Sequence, residues 1–202
     1  MDGMNDVQGS GDAVSLYRLL PGLERRNSRT LLLTEDSLDL LLGWQMGQEA
    51  PPQRIAARWN GDPRTPECPY PVGSPSAPVL NERAVAALGQ TLGTAGRLVP
   101  VDIAGGASEA YSLYLVEAVA DCLDEELSTP PNALKEIERP VFRPSAVPVD
   151  LPAFRIPQSP VYVHWNAWAA RRLREAVGPE VEVRLVWSAD PAEVPARPPW
   201  GF

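Results

Sequence analysis

The sequence has very few of the residues that usually carry enzyme chemistry. Among 202 residues it contains one histidine, His164, and two cysteines, Cys68 and Cys122. It has no C-x-x-C or H-E-x-x-H spacing, no phosphate loop and no G-x-S-x-G nucleophile elbow. We therefore predict no catalytic residues, no metal ligands and no cofactor, and we expect that the protein is not an enzyme.

The sequence also lacks the segments that place a protein in or across a membrane. No stretch approaches the roughly 18 consecutive apolar residues of a membrane-spanning helix. The first twelve residues, MDGMNDVQGSGD, lack the charged and apolar regions of a signal peptide. We therefore expect a cytoplasmic protein with no membrane partner, and reduced thiols at Cys68 and Cys122.

Basic residues are the third class in short supply. The chain has 18 Lys and Arg against 26 Asp and Glu, which gives a net charge of -8. Such a charge repels nucleic acid and anionic lipid, since both carry negative charge themselves. We therefore predict no nucleic-acid partner, and a protein partner with a basic surface. The sequence does not indicate an oligomeric state.

Proline is abundant and bunched. Of the 23 prolines, eight lie between Pro51 and Pro78, six between Pro140 and Pro160, and four between Pro191 and Pro199. Because proline fixes φ and has no N–H, these stretches are predicted to be irregular connectors. The predicted organisation is an N-terminal α+β unit at 1–50, a proline-rich connector at 51–78, an α+β domain at 79–190 and a proline-rich tail at 191–202.

Between the prolines, hydrophobic periodicity predicts an α+β fold with a mostly antiparallel sheet flanked by helices. In the N-terminal unit, 14–20 and 29–34 have strand patterns, and a short helix follows behind a Thr34 or Asp36 cap. In the middle, Asn81 is a predicted N-cap for a helix that Gly93 can close. Residues 97–104 and 110–122 then alternate as strands, which could pair as a hairpin.

The C-terminal part has the pattern of a compact β-α-β module. The segment VYVHW is strand-like, and Asn166 is a predicted N-cap for the helix AWAARRLREAV. Gly178 is expected to end that helix, and VEVRLVW alternates as a final strand. We predict that Arg171, Arg172 and Arg174 form a solvated helix face.

The most distinctive segment is the acidic run EAVADCLDEELS, which begins at Glu117. Five acidic residues and no basic one occupy 117–126. In one interpretation, Asp124, Glu125 and Glu126 form a negative patch that attracts a basic protein surface. In the other, Asp121 and Asp124 accept backbone N–H bonds and Ser128 caps the next turn.

Two tryptophans complete the predicted partner-binding residues. Trp59 lies in the proline-rich phrase RWNGDP, and Trp200 lies in the terminal PPWGF. Tryptophan supplies a large contact area at protein interfaces, and both are expected to be exposed. The alternative for Trp200 is that the tail folds back onto the body.

Four phrases together resemble an immunity-protein family of bacterial polymorphic-toxin and type VI secretion systems, a former domain of unknown function that is numbered eleventh among immunity families. In chain order they are PVLNERAVAALG with LVPVDIAGG, then ADCLDEELS, then AFRI, and finally VYVHWNAWAARRLREAVGPEVEVRLV. They cover about 79–187. The resemblance implies a cytoplasmic antidote that binds a cognate toxin effector and blocks it by occlusion, with no catalytic residues.

Two other functions stay open at this point. One is a small hydrolase or modifying enzyme, whose cleft would contain His164 and the carboxylates that follow Asp121. The other is a structural subunit of a secretion or phage-like particle, with which the proline connectors and the acidic charge are compatible. A cleft that holds His164 beside a carboxylate would favour the enzyme, and a repeated self-interface would favour the structural subunit.

Overall fold

A computed structural model describes residues 13–22, 28–72 and 77–195. Nine strands and three α-helices lie in these ranges and form two mostly antiparallel sheets. The predicted α+β class is confirmed. The strands are β1 (Ser15–Pro21), β2 (Thr30–Leu33), β3 (Ile55–Asn60), β4 (Val79–Asn81), β5 (Gly96–Ala104), β6 (Tyr111–Val116), β7 (Ala153–Ile156), β8 (Ser159–Asn166) and β9 (Val181–Ser188). The helices are α1 (Glu35–Gln45), α2 (Glu82–Leu88) and α3 (Ala167–Val177).

The four-stranded sheet joins the two ends of the described chain. Its order is β7-β8-β1-β9, with every pair antiparallel. Strand β1 lies between β8 and β9, with Tyr17 opposite Trp165 and Arg18 opposite Arg184. The two strands of the predicted C-terminal β-α-β module are therefore not neighbours in the sheet, since β1 lies between β8 and β9.

The five-stranded sheet has the order β2-β3-β5-β6-β4. Its only parallel pair among the described strands is β3 with β5. The predicted hairpin of β5 and β6 is confirmed, with Val99 opposite Leu113. The second strand is shorter than predicted, however. It ends at Val116, after which the N–H groups of Glu117 and Ala118 both donate to the carbonyl of Ala95.

The first two helices begin at capping residues that can be identified in the sequence. Thr34, and not Asp36, is the N-cap of α1, and its Oγ1 accepts from the Ser37 N–H at 3.4 Å. Asn81 caps α2 as predicted, since its Oδ1 accepts from the Ala84 N–H at 2.9 Å. The α-helix ends at Leu88 with a positive φ of 54° at the next glycine, and 3-10 turns replace its last predicted turn before Gly93.

The last helix ends as predicted but starts differently. Gly178 has a φ of 69°, a backbone conformation that glycine adopts without strain, and it terminates α3. Asn166 is at the N-cap position of α3, but its side chain makes no capping bond. Instead its Nδ2 donates to the carbonyl oxygens of Pro148 at 2.9 Å and Leu151 at 2.7 Å. Asn166 therefore fastens the preceding irregular segment to the sheet.

Strand β6 divides the core because its side chains alternate. Leu113 and Leu115 pack in a cluster with Leu41 of α1, whereas Tyr114 and Val116 belong to the cluster that contains α2 and α3. The helical cluster also covers one face of the four-stranded sheet, through Val163, Trp165 and Leu173. The helical cluster therefore packs against both sheets, because Tyr114 and Val116 of β6 contact it from the five-stranded sheet.

The opposite face of the four-stranded sheet is covered by residues 117–150, which contain no α-helix or strand. Cys122, Leu123 and Phe142 from this segment pack against Leu16 and Phe154 of the sheet in a third apolar cluster. A 3-10 turn at Pro144–Ala146 is its one regular element. We call residues 117–150 the irregular layer.

Two of the proline-rich stretches predicted to be irregular need correction, and the first is 140–160, which contains strand β7 and the start of β8. The segment 51–78 is not irregular throughout, because Ile55–Asn60 forms strand β3. No proline lies between Gln53 and Asp62, so nothing blocks the ladder there. The predicted domain boundaries remain a prediction, although strands pair across them: β1 of the first unit pairs with β8 and β9 of the third.

Candidate protein-interaction surface

Asp124 is a scaffold residue at the start of an ordered loop. Its Oδ1 accepts from the N–H groups of Glu126 at 3.2 Å and Leu127 at 3.1 Å, and its carbonyl accepts from the Ser128 N–H at 3.0 Å. Its own N–H donates to the Val141 carbonyl at 2.8 Å. The turn predicted for Asp124 is therefore confirmed, and this carboxylate holds the loop rather than pointing into open solvent.

Asp121 does not behave as the turn interpretation expected. Its carboxylate meets side chains, namely Arg143 Nη2 at 3.5 Å and Gln158 Nε2 at 3.4 Å, and not backbone N–H groups. Arg143 also donates to the carbonyl oxygens of Asp121, at 2.6 Å, and of Leu123. This arginine therefore ties both sides of the irregular layer together and neutralises part of the acidic run.

Glu125 and Glu126 are the carboxylates of the run that face outward. Both side chains are exposed. Glu125 Oε1 accepts from Gln158 Nε2 at 2.6 Å, while the Glu126 carboxylate meets no hydrogen-bonding or charged partner among the described residues. A partner's cation could therefore approach Glu126 without displacing an existing contact.

Two leucines are exposed in the same part of the irregular layer. Leu127 is 66% exposed and Leu134 is 73% exposed. They lie on a loop that folds back on itself, because Thr129 N–H donates to the Arg139 carbonyl at 3.2 Å. At its tip, Asn132 Oδ1 accepts from the N–H groups of Leu134 and Glu136 at 2.9 and 3.0 Å. We call residues 124–139 the acidic loop.

The acidic loop therefore combines negative charge with exposed apolar area on a hydrogen-bonded frame. Its sequence contains five carboxylates and two basic side chains. Exposed leucines are common singly, but here two of them lie seven residues apart on one hydrogen-bonded loop that also carries exposed carboxylates. The prediction from sequence found the charges and missed the leucines, whose only signal was their position outside any helical or strand period.

Trp59 is in a different environment from the one predicted. It lies in strand β3, not in a loop, and its Nε1 donates to the Gly106 carbonyl at 2.9 Å. Its ring meets Tyr111 edge-on at 5.6 Å, and the Arg29 guanidinium stacks on it at 4.7 Å. The Trp59 indole is therefore engaged by contacts with other residues of the same chain. The other predicted tryptophan, Trp200, lies outside the described residues.

His164 is buried, with 5% of its surface exposed. Its ring packs against Phe142 at 5.2 Å and Phe154 at 5.7 Å, and neither ring nitrogen has a hydrogen-bond partner among the described residues. Burial, reinforced by the nearby Arg18 cation, lowers the pKa of His164 to about 3. A cavity of about 10 Å³ lies beside it, room for a single water. A Ser-His-Asp hydrolase orients its histidine with a carboxylate, and His164 has no such partner among the described residues.

Arg155 is the structurally important residue that the sequence prediction did not single out. It is 94% buried, and its guanidinium donates to the carbonyl oxygens of Val116 at 2.7 Å and Pro160 at 3.0 Å. It also stacks on Trp44 of α1 at 4.5 Å. The signal was present in AFRI, since a charged residue in a buried four-residue strand needs a reason.

The described residues contain neither of two features that would point to other functions. In those ranges, no three His, Cys, Asp or Glu side chains are grouped so that they could hold a metal ion. No helix there has the length and apolar character needed to cross a membrane. No protein-family model matches the chain, and comparison with curated proteins likewise gave no match.

Proposed function

We propose that this protein is a cytoplasmic immunity protein, which binds a cognate toxin effector through the acidic loop and blocks it by occlusion. The observation that carries the proposal is the exposure of Leu127, Leu134 and an unpaired Glu126 on one hydrogen-bonded loop. The resemblance of ADCLDEELS and three other phrases to an immunity-protein family supports it. In this proposal the protein acts by binding and transforms nothing.

The acidic loop has the physical properties of a binding surface. Burial of one leucine side chain against a partner contributes about 2 kcal/mol. The bonds made by Asp124 and Asn132 hold the backbone in place before binding, so less conformational entropy is lost on association. A stable complex buries about 1,600 Å² in total, and the loop would supply the centre of such a patch.

The negative charge gives the loop a preference among partners. Glu125 and Glu126 would attract a basic toxin surface, such as one that binds an anionic substrate, and this attraction speeds association and selects the partner. Asp124 and Asp121 contribute less, because their carboxylates are engaged by backbone N–H groups and by Arg143. The phrase ADCLDEELS therefore divides into residues that build the loop and residues that are available for contact.

The test is co-expression of the full chain with the product of the adjacent gene, followed by growth assays and purification of the complex. We expect rescue of growth and a stable complex. Replacement of Leu134 by Ser should weaken the complex at least tenfold, because a central apolar contact is lost. The Glu125→Lys and Glu126→Lys double variant should slow association roughly tenfold at low salt, with a smaller effect at high salt.

Matched control variants test whether the acidic loop is the contact surface, and two further outcomes test the proposed function itself. Leu40→Ser on α1 removes another exposed leucine, which is 44% exposed against 73% for Leu134, and the Asp39→Lys and Glu49→Lys pair makes the same charge change at exposed positions. Both should leave the complex unchanged. If loop and control variants bind alike, the acidic loop is not the contact surface. A harmless product of the adjacent gene, or catalytic consumption of a substrate by the purified chain, would overturn the function itself.

A further inference from the structure

The three arginines of α3 do not share one environment, although the sequence predicts a single solvated face. The Arg172 guanidinium stacks on the Trp168 ring at 5.4 Å. Arg171 and Arg174 lie on another side of the helix, where they line a groove between α3 and the sheet. Among the described residues, neither of these two guanidinium groups forms an ion pair or a hydrogen bond with another side chain.

The groove has the size of a small-molecule site. Its volume is about 560 Å³, within the range of roughly 300 to 1,000 Å³ that such sites usually have. Three short apolar side chains, which we call its floor, line it together with Tyr17 of β1. The floor residues are Ala167, Ala170 and Val183. Because two of the three are alanines, space remains there for an apolar ligand group.

The charges around the groove favour one negative group rather than many. Of the described residues that line it, two are arginines and Glu175 is the one with a carboxylate. Glu193 is close to Tyr17, but its Oε2 already accepts from Ser15 Oγ at 2.9 Å. An arginine fork matches a carboxylate in shape and donor number. A polyanion is disfavoured by Glu175 and by the net charge of -8 on the whole chain.

We propose that this groove binds a small molecule in which one carboxylate is attached to an apolar body. The carboxylate accepts hydrogen bonds from Arg171 and Arg174, and the apolar body covers Ala167, Ala170 and Val183. The hydroxyl of Tyr17 is protonated at neutral pH, as in any tyrosine, and can donate to the ligand.

This site is independent of the proposed toxin contact. Alternate residues of β8 show the separation: Val163 and Trp165 pack in the helical cluster, whereas His164 meets Phe142 of the irregular layer. The groove beside α3 and the acidic loop therefore lie on opposite faces of the four-stranded sheet. Failure of either proposal leaves the other standing.

The test uses the full chain and two probes of the same shape, 2-naphthoate and its uncharged analogue 2-naphthamide. Titrations are followed by calorimetry and by the NMR signals of the arginine side chains. We expect saturable binding of 2-naphthoate with a dissociation constant on the order of 1 mM. The amide should bind at least tenfold more weakly, because it lacks the charge-assisted hydrogen bonds.

Variants locate the binding within the molecule. Arg171→Gln should weaken 2-naphthoate binding roughly tenfold, whereas Arg172→Gln, with the same charge change one residue away, should have no effect. Ala167→Leu should block binding by filling the floor while every charge is kept. Equal losses in the two arginine variants, equal binding of the acid and the amide, or no saturation at roughly 20 mM probe would each overturn the proposal.

Discussion

The two faces of the four-stranded sheet are covered in different ways. On one face, α2 and α3 bury Leu88, Leu173 and Val177, and each helix satisfies its own backbone hydrogen bonds. On the other face, the irregular layer buries Leu123 and Phe142, but its backbone has no ladder. Its backbone N–H groups form individual hydrogen bonds instead, for example to a carbonyl across the layer or to an Asp or Asn side chain.

This difference shows how an apolar cover can also present side chains to solvent. A helix that packs one face has its outward positions fixed by the helical period, as with Arg171 and Arg174. The irregular layer has no period, so Asp124 and Asn132 can shape local turns that turn Leu127 and Leu134 outward. The irregular layer, which has fewer regular backbone hydrogen bonds than the helices, therefore carries the candidate contact surface.

The largest expected effect is at Arg155 of β7, whose side chain contacts the end of β6 and so links the two sheets. Arg155→Met should lower the free energy of unfolding by about 3 kcal/mol, because buried carbonyl oxygens of Val116 and Pro160 lose their donor. Chemical denaturation measures this. Arg54→Met, which breaks an exposed ion pair with Asp102, should change it by less than about 0.5 kcal/mol. Similar values for both variants would show that Arg155 does not join the sheets.

A smaller effect of pH tests the packing between the sheet and the irregular layer. The pKa of His164 is about 3 in the folded state, below the ordinary value of 6.5, so the unfolded chain binds the proton more readily. Stability is therefore complete above pH 6.5 and falls as the pH drops toward 3. Between pH 7 and pH 5 the loss should be about 2 kcal/mol.

His164→Leu provides the control, because an apolar side chain of similar size does not titrate and leaves no unpaired nitrogen. Denaturation at pH 7 and pH 5 should show that the variant lacks about 2 kcal/mol of the wild-type loss. The carboxylates titrate in both proteins, so the difference between them isolates the histidine. If both proteins lose the same stability, the imidazole is not enclosed by Phe142 and Phe154.

The parts of the fold that sequence predicted correctly depend on local signals. The Asn81 cap, the Gly178 stop and the hairpin of β5 and β6 each depend on residues close together in the chain. The position of β1 between β8 and β9 could not be predicted in this way, because Tyr17 pairs with Trp165 far along the chain. The acidic run was found by its charges, but the exposure of Leu134 depends on which neighbours leave it uncovered.

The groove beside α3 shows the same limit at the level of a site. The spacing of Ala167, Arg171 and Arg174 places them on one side of a helix, which sequence alone could indicate. Tyr17 and Val183 also line the groove, and only the pairing of β1 with β9 brings these two strands beside α3. The sequence therefore shows which charged residues the helix carries. Which other residues join them in a site depends on the pairing of strands that are far apart in the chain.

The smallest expected effect separates residues that build the acidic loop from residues that face a partner. Asp124→Ala should lower the free energy of unfolding by about 1 kcal/mol, because the N–H groups of Glu126 and Leu127 lose their acceptor. Glu126→Ala should change it by less than about 0.5 kcal/mol, since that carboxylate is exposed. Denaturation of both variants measures this. A cost at Glu126 as large as that at Asp124 would mean that the outward carboxylate also supports the loop, and the division of the run into frame and contact residues would then fail.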